Sequence, residues 1–578
     1  MLNRTKILKS LTFVALAVIA ERLFFVQVVE HPIWVAKASE KHTLLETIVA
    51  RRGEIYMMDA GEPTPVVLNQ TVYSIIIDPA VTEKAAISDA LNSFAKEYIV
   101  ADFDEIYSQE GLRYAIVAKN VPRSLAEKIA EEGISAVWFQ KNNQRVYPEG
   151  EMASGMLGFV NADGLGQYGV EGSLNSLLAG KDGLLKTISD VNNVALSIGN
   201  DNVKIPAEDG KDVVLSVDRG LEEGIEEIMA ATLNSSAATN AAALIMDPNT
   251  GEVLAMANLP NYDPANYGNV VDASAYLNYV TEVPYEPASI CKNFAFSAAI
   301  NEGKMTAETT YFNQGYEIID SQKILNAEQR SSLYGTINMK TALYWSLNTG
   351  SIYALKLLGD DPNEINQTGR ETLYDYYYNK FRLGQATGIE LIEAEGFIWT
   401  PDAETYGLNA AYANMTFGQN LSITMIQTAT AFSSVVNSGY WRTPTVIKGT
   451  LENNKIVPLE TELVENKVLS DETSATMRDM LINNRNYKAR AGIDRAGYAI
   501  GGKSGTAQVV VNGAYDDTMS QLIGSYIGFV GPSGELPKYV IMVKMWGEGQ
   551  SIGSGEAMSL FDSLSNYLID YLKIKPKE

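Results

Sequence analysis

An apolar stretch close to the N-terminus limits what this chain can fold into more than any other feature. Residues 7–29 are long enough to cross a bilayer, which requires about 20 mostly apolar residues, and three basic residues lie at or just before the start of the stretch. Basic residues before a span place the short N-terminus in the cytoplasm and the rest of the chain outside. We therefore predict a cytoplasmic segment 1–9, a single transmembrane helix 10–29 and an extracytoplasmic remainder.

Two other interpretations of the stretch stay open. A cleaved signal peptide would use the small residues Ala15 and Ala17, but cleavage there leaves an apolar region of about five residues, whereas signal peptides have roughly 7–15. A buried helix of a soluble domain is favoured by the charges of Glu21 and Arg22 inside the stretch. Within a membrane span, such charges usually face a protein partner or the interface.

Charge and residue usage exclude several function classes. The chain has 578 residues, with 45 Lys and Arg against 70 Asp and Glu, a net charge of −25 that disfavours nucleic acid as a partner. It has one Cys and two His, and both histidines, His31 and His42, lie near the N-terminus. An intrachain disulfide, a thiolate-rich metal site, a histidine-ligated zinc and a Ser-His-Asp triad are therefore not expected. No metal or organic cofactor is implied.

The remainder divides into two parts by pattern. Residues 43–206 are mixed α/β scaffold without a ligand motif, with a strand at 72–77 and helices near 83–98 and 122–132. A new domain, 212–578, begins near Asp212. Its expected elements are a strand at 213–217, a helix at 219–233, a hairpin of 241–246 and 252–257, three late strands at 505–511, 522–530 and 539–545, and a closing helix at 558–572. Strands at both ends with a helix-rich middle predict an α+β sheet whose first and last strands meet.

A serine and a lysine three residues apart form the first candidate for chemistry. Without histidine, lysine is the usual alternative base for a nucleophile. Ser289 and Lys292 share a helix face, and Pro287 suits the first turn of that helix. The spacing alone is weak evidence, because Ser93 and Lys96 match it equally well.

Two further motifs strengthen the candidate. Ser346-Leu347-Asn348 offers a second hydroxyl and an amide, although Ser173-Leu174-Asn175 matches the same tripeptide elsewhere. The run Gly501-Gly502-Lys503-Ser504-Gly505-Thr506 is unique in the chain and opens the strand expected at 505–511. Its glycines allow a ligand to approach the strand closely, Lys503 supplies a second cation, and Ser504 and Thr506 supply hydroxyls for a carboxylate.

With these motifs the sequence resembles the penicillin-binding proteins. The resemblance covers nearly the whole chain. It includes four further stretches, which are Arg51-Arg52-Gly53-Glu54-Ile55-Tyr56, Arg145-Val146-Tyr147-Pro148, Gly169-Val170-Glu171-Gly172 and the hairpin residues 247–256. A short cytoplasmic end, one span, an elongated α/β pedestal and a C-terminal catalytic domain are the layout of class B members. The implied catalytic domain is an antiparallel sheet flanked by helices, with a helical subdomain.

The resemblance implies a role for each motif residue. Ser289 would be the acylated nucleophile and Lys292 its general base, Ser346 would relay the proton, and Asn348 would position Lys292 and the substrate amide. On the late strand, Lys503 would hold the electrostatics of the catalytic site, and Ser504 and Thr506 would bind the terminal carboxylate of a D-Ala-D-Ala stem peptide, with Gly505 between them as a further substrate-binding residue. Backbone N–H groups of Ser289 and Thr506 would form the oxyanion hole. A neighbouring stem's amine would then complete a peptidoglycan cross-link, and a β-lactam would acylate Ser289 and stay.

Two positions depart from the family pattern. Ala288 stands where the family usually has glycine, and Cys291 stands where it usually has an aromatic residue. Cys291 is interpreted as a buried packing residue, with a reactive thiol as the alternative. Asn348, where elongation-type relatives often carry Asp, favours the division-type branch.

Other functions remain to be weighed against a transpeptidase. A secreted β-lactamase would not need the pedestal, and Glu393 and Glu395 lie in the right interval but in no deacylation motif. A β-lactam sensor would need a larger cytoplasmic part, and a bifunctional enzyme would need a glycosyltransferase half. A catalytically silent division scaffold would not need three intact motifs. Strand polymerisation would therefore belong to a partner, which the resemblance implies is a multi-span glycosyltransferase, alongside other division or elongation proteins.

Overall fold

The computed structural model describes residues 4–31, 43–188, 203–459, 464–487, 494–511, 514–515 and 521–577. The chain forms two compact units. The first contains Met1–Gly53 and Ala179–Gly210, and the second contains Glu54–Leu178 and Lys211–Glu578. His42, one of the two histidines of the sequence, lies outside the described residues.

The first unit contains the apolar helix and a small sheet. The helix Arg4–Phe24 continues into a π-helical turn, Phe25–Val29. Its segment Thr12–Val29 has a mean hydropathy of 1.9, none of it is buried, and it is long and apolar enough to cross a membrane. The strands Thr43–Ile48, Gly183–Ile188 and Val203–Ile205 form an antiparallel sheet with Gly183–Ile188 in the middle.

The second unit contains a seven-stranded sheet that joins early and late parts of the chain. In spatial order, six of its strands are Lys455–Val457, Ile447–Glu452, Val213–Asp218, Ile55–Asp59, Glu62–Ile77 and Ala115–Pro122, and Val137–Val146 also pairs with Glu62–Ile77. The strand expected at 213–217 is present. It runs parallel to Ile55–Asp59 and antiparallel to Ile447–Glu452, so residues on both sides of Asp212 share one sheet.

Helices cover the early part of this sheet. They are Lys84–Phe94, Phe103–Ser108 and Arg123–Glu131, followed by the single turns Ser154–Leu157, Gly169–Ser173 and Asn175–Leu178. The helix expected at 83–98 ends at Phe94, and its last residues form the separate 3₁₀ turn Lys96–Tyr98. A buried ion pair joins Arg145 Nε to Glu171 Oε1 at 2.6 Å and so links two of the sequence motifs. Two short strands, Phe159–Val160 and Gly166–Gln167, pair beside it.

A five-stranded antiparallel sheet forms the centre of the second unit. Its spatial order is Val253–Leu259, Asn240–Met246, Tyr539–Trp546, Leu522–Pro532 and Tyr498–Gln508. The first hairpin therefore pairs with the last strand of the chain, as the sequence predicts. The helices Arg219–Asn234 and Ser554–Tyr571 pack on one face of this sheet.

The last-named strand, Tyr498–Gln508, begins earlier than the sequence predicts. Lys503 lies in the middle of it, and the expected opening at 505 is wrong. Gly501 and Gly502, which precede the predicted strand, both pair across to the neighbouring strand. A β-carbon on Gly501 would lie 2.5 Å from the Phe529 ring, so this glycine serves close packing within a sheet. The rest of the expected strand forms Val510–Val511, which pairs with Ala514–Tyr515.

A largely helical layer covers the other face of the central sheet. Its α-helices are Lys292–Asn301, Met339–Tyr344, Asn348–Leu358, Gln367–Tyr374, Leu408–Met415, Met425–Val436 and Asp471–Tyr487. Shorter helical turns are Pro264–Asn269, Ala273–Tyr276, Ala288–Cys291, Ser331–Leu333 and the π-helical Asp375–Lys380. Three strand pairs complete it, which are Thr310–Asn313 with Gly335–Asn338, Tyr316–Ile319 with Gln322–Leu325, and Tyr440–Arg442 with Glu465–Lys467. Met425–Val436 has no charged residue and is buried on all sides, as is typical of a helix without a charged face.

Two glutamates, Glu222, which is buried, and Glu226, which is half-buried, bind the helix Arg219–Asn234 to its surroundings. Glu222 accepts a hydrogen bond from the backbone N–H of Met256 in the sheet, at 2.8 Å. One turn further along, Glu226 accepts hydrogen bonds from the backbone N–H of Ala153, at 2.8 Å, and from Asn261 Nδ2, at 2.9 Å. Burial raises the pKa of Glu222 well above its ordinary value and raises the pKa of Glu226 to about 7.

The Glu226 pKa predicts a pH-dependent stability. A carboxyl group with a raised pKa binds its proton more tightly in the folded state, so stability falls as the pH rises from about 4.5 through 7. Glu226→Gln cannot ionise and avoids this loss. We expect the unfolding free energy of the variant, minus that of the native protein, to increase between pH 5 and pH 8, as measured by urea denaturation. The exposed neighbour Glu227→Gln serves as the control and should show no such gain, and an equal difference at both pH values for Glu226→Gln would contradict the prediction.

Candidate active site

Ser289 and Lys292 meet where a tight turn enters a helix. Ser289 lies in the 3₁₀ turn Ala288–Cys291, called here the Ser289 turn, and Lys292 is the first residue of the following α-helix. The three-residue spacing brings Lys292 Nζ to 3.0 Å from Ser289 Oγ. Ser289 is half-buried, whereas Lys292 is completely buried. The hydroxyl is therefore open to a ligand while the amine is shielded from water.

The Lys292 amine also contacts the second motif. Its Nζ donates hydrogen bonds to the backbone oxygen of Ser346, at 2.5 Å, and to Asn348 Oδ1, at 2.8 Å, and it lies 3.2 Å from Ser346 Oγ. Asn348 in turn donates from Nδ2 to the carbonyl of Leu325, at 2.8 Å. Because the amide group is held at its nitrogen end, its oxygen faces the lysine.

The third motif reaches the same hydroxyl from the sheet. Lys503 is completely buried, and its Nζ donates to Ser346 Oγ at 2.9 Å and to the backbone oxygen of Ser504 at 3.0 Å. Ser346 Oγ thus lies within 3.2 Å of two lysine nitrogens. A hydroxyl both donates and accepts, so Ser346 can pass a proton between groups on either side of it.

Glycine at position 505 allows the motif strand to lie against the Ser289 turn. A β-carbon on Gly505 would stand 2.5 Å from the carbonyl oxygen of Pro287, which no side chain could tolerate. Ser504 is half-buried and Thr506 is exposed, so both hydroxyls remain accessible. The structure therefore brings together all five predicted catalytic side chains, and the three predicted substrate-binding residues follow Lys503 on one strand.

The backbone at Ala288 gives a physical reason for the family preference at this position. Ala288 has φ +51°, in the left-handed region that glycine adopts most easily. Its backbone N–H donates to the carbonyl of Gly418 at 3.2 Å, which holds the turn in this conformation. The residue before Ser289 is therefore strained by its methyl group, at a cost of about 1 kcal/mol.

Cys291 is a packing residue in this structure. Its side chain is completely buried, and burial, with a smaller contribution from the Glu286 carboxylate, raises the pKa of the thiol well above its ordinary value. A reactive cysteine needs the opposite environment, one that is exposed and favours the thiolate. The Tyr377 hydroxyl donates to the Cys291 carbonyl at 3.3 Å and so supports the turn from behind.

Sequence reasoning did not find the residues that support the motifs. Leu325 acts through its backbone carbonyl, and Tyr377 approaches from another helical segment, so neither carries a recognisable pattern. The carboxylate of Glu393, the residue weighed above for deacylation, stabilises a turn near it in the sequence. Its carboxylate accepts hydrogen bonds from the backbone N–H groups of Thr387 and Gly388 and from the Thr387 hydroxyl.

Comparison with known families decides the assignment. Residues 241–565, more than half of the chain, match the family described as "Penicillin binding protein transpeptidase domain". The chain belongs to this family. Residues 47–215 match a second family description, "Penicillin-binding Protein dimerisation domain". The resemblance noted from the sequence is thus confirmed, and so is the combination of an N-terminal dimerisation-type domain with a transpeptidase domain.

Individual relatives agree with this membership. The chain is 29% identical to stage V sporulation protein D of Bacillus subtilis over 80% of its own length and 69% of the relative. It is 26% identical to peptidoglycan D,D-transpeptidase FtsI of Buchnera aphidicola over 98% of its length and 94% of the relative. Penicillin binding protein 2X from Streptococcus thermophilus has the same fold, with a TM-score of 0.72 at 23% identity over 92% of this chain and 80% of that one.

Ala288 allows a direct test of the strain beside Ser289. Ala288→Gly should raise the unfolding free energy by up to about 1 kcal/mol, because glycine relieves the left-handed strain at the cost of some chain entropy. Ala288→Val should lower the unfolding free energy, since a β-branched residue fits this region worse. Thermal unfolding measures both. A native protein more stable than Ala288→Gly would contradict the strain.

Cys291 is the one thiol of the chain and can be titrated directly. A thiol-specific disulfide reagent should leave the native transpeptidase unmodified at pH 8 and should modify one group per chain after denaturation, because the thiol is buried and its thiolate form is disfavoured. Rapid labelling of the native protein at Cys291 would overturn its assignment as a packing residue.

Proposed function

We propose that this chain is a peptidoglycan D,D-transpeptidase that cross-links stem peptides through an acyl-enzyme on Ser289. The observation that carries the proposal is the convergence of Ser289, Ser346 and Asn348 on the Lys292 amine, all within 3.2 Å. Membership of the penicillin-binding protein transpeptidase family supports the reaction class, and relatives named as peptidoglycan D,D-transpeptidases support the substrate.

Acylation begins at the Ser289 hydroxyl. Lys292, as a neutral amine, takes the hydroxyl proton while Ser289 Oγ attacks the carbonyl carbon of the bond between the two terminal D-Ala residues of a stem peptide. This role requires the uncharged amine, and the Lys292 side chain is completely buried. The backbone N–H groups of Ser289 and Thr506 stabilise the negative charge that develops on the carbonyl oxygen.

The leaving group departs as terminal D-Ala. Its nitrogen needs a proton, and Ser346 is placed to supply it, because its hydroxyl lies between Lys292 and Lys503. Lys503, with the hydroxyls of Ser504 and Thr506, binds the terminal carboxylate and so orients the peptide bond over Ser289. Asn348 holds Lys292 and the substrate amide in register.

The second half of the reaction transfers the acyl group. An amine from a neighbouring stem attacks the Ser289 ester, Lys292 removes the proton from this amine, and a new peptide bond releases the enzyme. A β-lactam follows the first half only, since its ring opens on Ser289 without providing a departing leaving group. In support of β-lactam binding, a solved structure of the same fold, 22% identical to this chain, is penicillin binding protein 3 from Mycobacterium tuberculosis complexed with aztreonam.

The N-terminal segment and the relatives support a cellular role for the proposed enzyme. The apolar helix anchors the protein in the cell membrane, with the N-terminus in the cytoplasm and the catalytic domain outside. Similarity to an FtsI protein and the asparagine at position 348 favour septal synthesis. The partner that polymerises glycan strands is a multi-span glycosyltransferase that meets the membrane helix and the pedestal, together with other division or elongation proteins.

Acylation by a penicillin tests the proposal. The intact mass of the protein should increase by one drug molecule, peptide mapping should place it on Ser289, and Ser289→Ala should show no adduct. Lys292→Met should acylate about 10²–10⁴-fold more slowly, the usual contribution of a general base. Ser93→Ala, in the exposed copy of the serine–lysine spacing, is the matched control and should acylate at the native rate.

Each other outcome points to a different function. Rapid drug turnover without a lasting adduct would indicate a β-lactamase-like hydrolase. A folded protein with neither adduct nor turnover would favour a catalytically silent division scaffold. An adduct on another residue would show that Ser289 is not the nucleophile.

A further inference from the structure

Among the described residues, a fourth buried lysine, which no motif predicts, lies against the segment that leads into the Ser289 turn. Besides Lys292, Lys503 and the ion-paired Lys356, the side chain of Lys544 is 3% exposed, in the strand Tyr539–Trp546. Among the described residues, no carboxylate lies within 4 Å of its amine. Burial, the single cause, lowers the pKa of Lys544 to about 7.

Three aromatic rings surround the Lys544 amine. Its Nζ lies 4.6 Å from the ring centre of Tyr285, 4.6 Å from that of Trp546 and 5.8 Å from that of Tyr279. Tyr279 and Trp546 also contact each other edge to face at 4.8 Å, so the arrangement is rigid. An ammonium ion over aromatic faces is stabilised electrostatically, and most strongly away from water.

The strand places this lysine on the sheet face that carries the site. Met542, two residues earlier, belongs to the same core as Ile290 and Phe294 of the Ser289 region. Val543 and Met545 face the opposite core under the terminal helix. Across the sheet, Lys544 pairs with Ser525, and Ser525 pairs with Gly505 of the motif strand.

Tyr285 connects the lysine to the nucleophile. It is four residues before Ser289, and its backbone forms two hydrogen bonds of 3.0 Å with Ile423. The next residue, Glu286, accepts a hydrogen bond from the backbone N–H of Asn420 at 2.9 Å. The loop 418–423 therefore holds residues 285–288 from one side, and the Tyr285 ring rests on Lys544 on the other.

We propose that Lys544 is a positioning residue, whose ammonium group under the Tyr285 ring holds the segment leading into the Ser289 turn against the motif strand. It acts through Tyr285 and does not contact substrate. The inference rests on the proposed transpeptidase function, since the property that it tunes is acylation of Ser289. When Lys544 is uncharged the attraction to the rings is lost, and the turn is held less firmly.

The groups facing Lys544 allow its protonation to be followed separately. The helix Met425–Val436, which packs across the strand, has no ionisable side chain. Burial raises the pKa of the Tyr285 hydroxyl, so this group stays neutral between pH 6 and pH 9. The other ionisable groups of this region are the Tyr279 hydroxyl, the thiol of Cys291, and the carboxylates of Glu282 and Glu286, of which Glu282 accepts a hydrogen bond from the Asn278 N–H.

The test compares penicillin acylation rates of the native protein and Lys544→Met from pH 6 to pH 9. Below pH 6.5 the native protein should acylate about tenfold faster, equivalent to about 1.4 kcal/mol, because only it carries the cation. Above pH 8 the ratio of the native acylation rate to that of Lys544→Met should approach one, because Lys544 is then uncharged. Any pH dependence that the two proteins share cancels in the ratio.

Two further variants complete the experiment. Lys544→Arg keeps a permanent cation. The native acylation rate should therefore fall relative to the rate of this variant as the pH rises through 7. If Lys544→Met does not fold, this comparison alone tests the role of Lys544. Met542→Leu, on the same strand and face, is the packing control and should give a ratio that does not change with pH.

If the ratio of the native rate to the Lys544→Met rate is one from pH 6 to pH 9, or is below one and independent of pH, the proposed role of Lys544 is wrong. A pH-independent loss in Lys544→Met would also overturn it, since it would reflect packing alone. Absence of any acylation in the native protein would instead refute the proposed function, and the two failures are therefore distinguishable.

Discussion

The side-chain amine of Lys292 is the point on which the site depends. It contacts Ser346 and Asn348, which are 54 and 56 positions further along the chain. Through Ser346 it is connected to Lys503, a further 157 positions along. Three separate parts of the fold, a helix start, a connection between helices and a sheet edge, must be placed to within a few tenths of an ångström for these contacts to form. The two sheets and the buried helix Met425–Val436 provide that rigidity, because close-packed cores transmit small displacements instead of absorbing them.

The motif residues could be predicted from the sequence because their chemistry requires particular side chains at particular spacings. Ser289 and Lys292 are neighbours on one turn, and the sheet strands around them carry clear apolar patterns. The pairing of Val213–Asp218 with Ile55–Asp59 could not be predicted, since strand periodicity indicates a strand and not its neighbour. The start of the strand Tyr498–Gln508 was predicted too late for a related reason. Glycine marks both turns and close approach of two strands, and only the Phe529 ring beside Gly501 distinguishes them.

The supporting residues were beyond sequence reasoning for a different physical reason. Leu325 and Gly418 act through backbone carbonyls, which every residue possesses. Lys544 is surrounded by rings from two segments, and its own strand shows only one charge in an apolar run. A lysine in such a run would be expected to face solvent, because a buried charge without a partner is costly. The aromatic faces reduce this cost, and they become visible only when the fold has brought Tyr279 and Tyr285 to the sheet.

The distribution of carboxylates around the site bears on the fate of an acyl-enzyme. Hydrolysis needs a base beside a water molecule at the Ser289 ester. Of the two glutamates in the right interval, Glu395 is exposed and Glu393 already accepts three hydrogen bonds from Thr387 and Gly388. Glu286, close to the turn in sequence, accepts the backbone N–H of Asn420 and holds the loop beside Ser289. Glu393 and Glu286 thus serve the scaffold. In the proposed mechanism Lys292 accepts a proton at the ester, and an amine is a better nucleophile than water. The arrangement therefore favours transfer to a second stem peptide over hydrolysis.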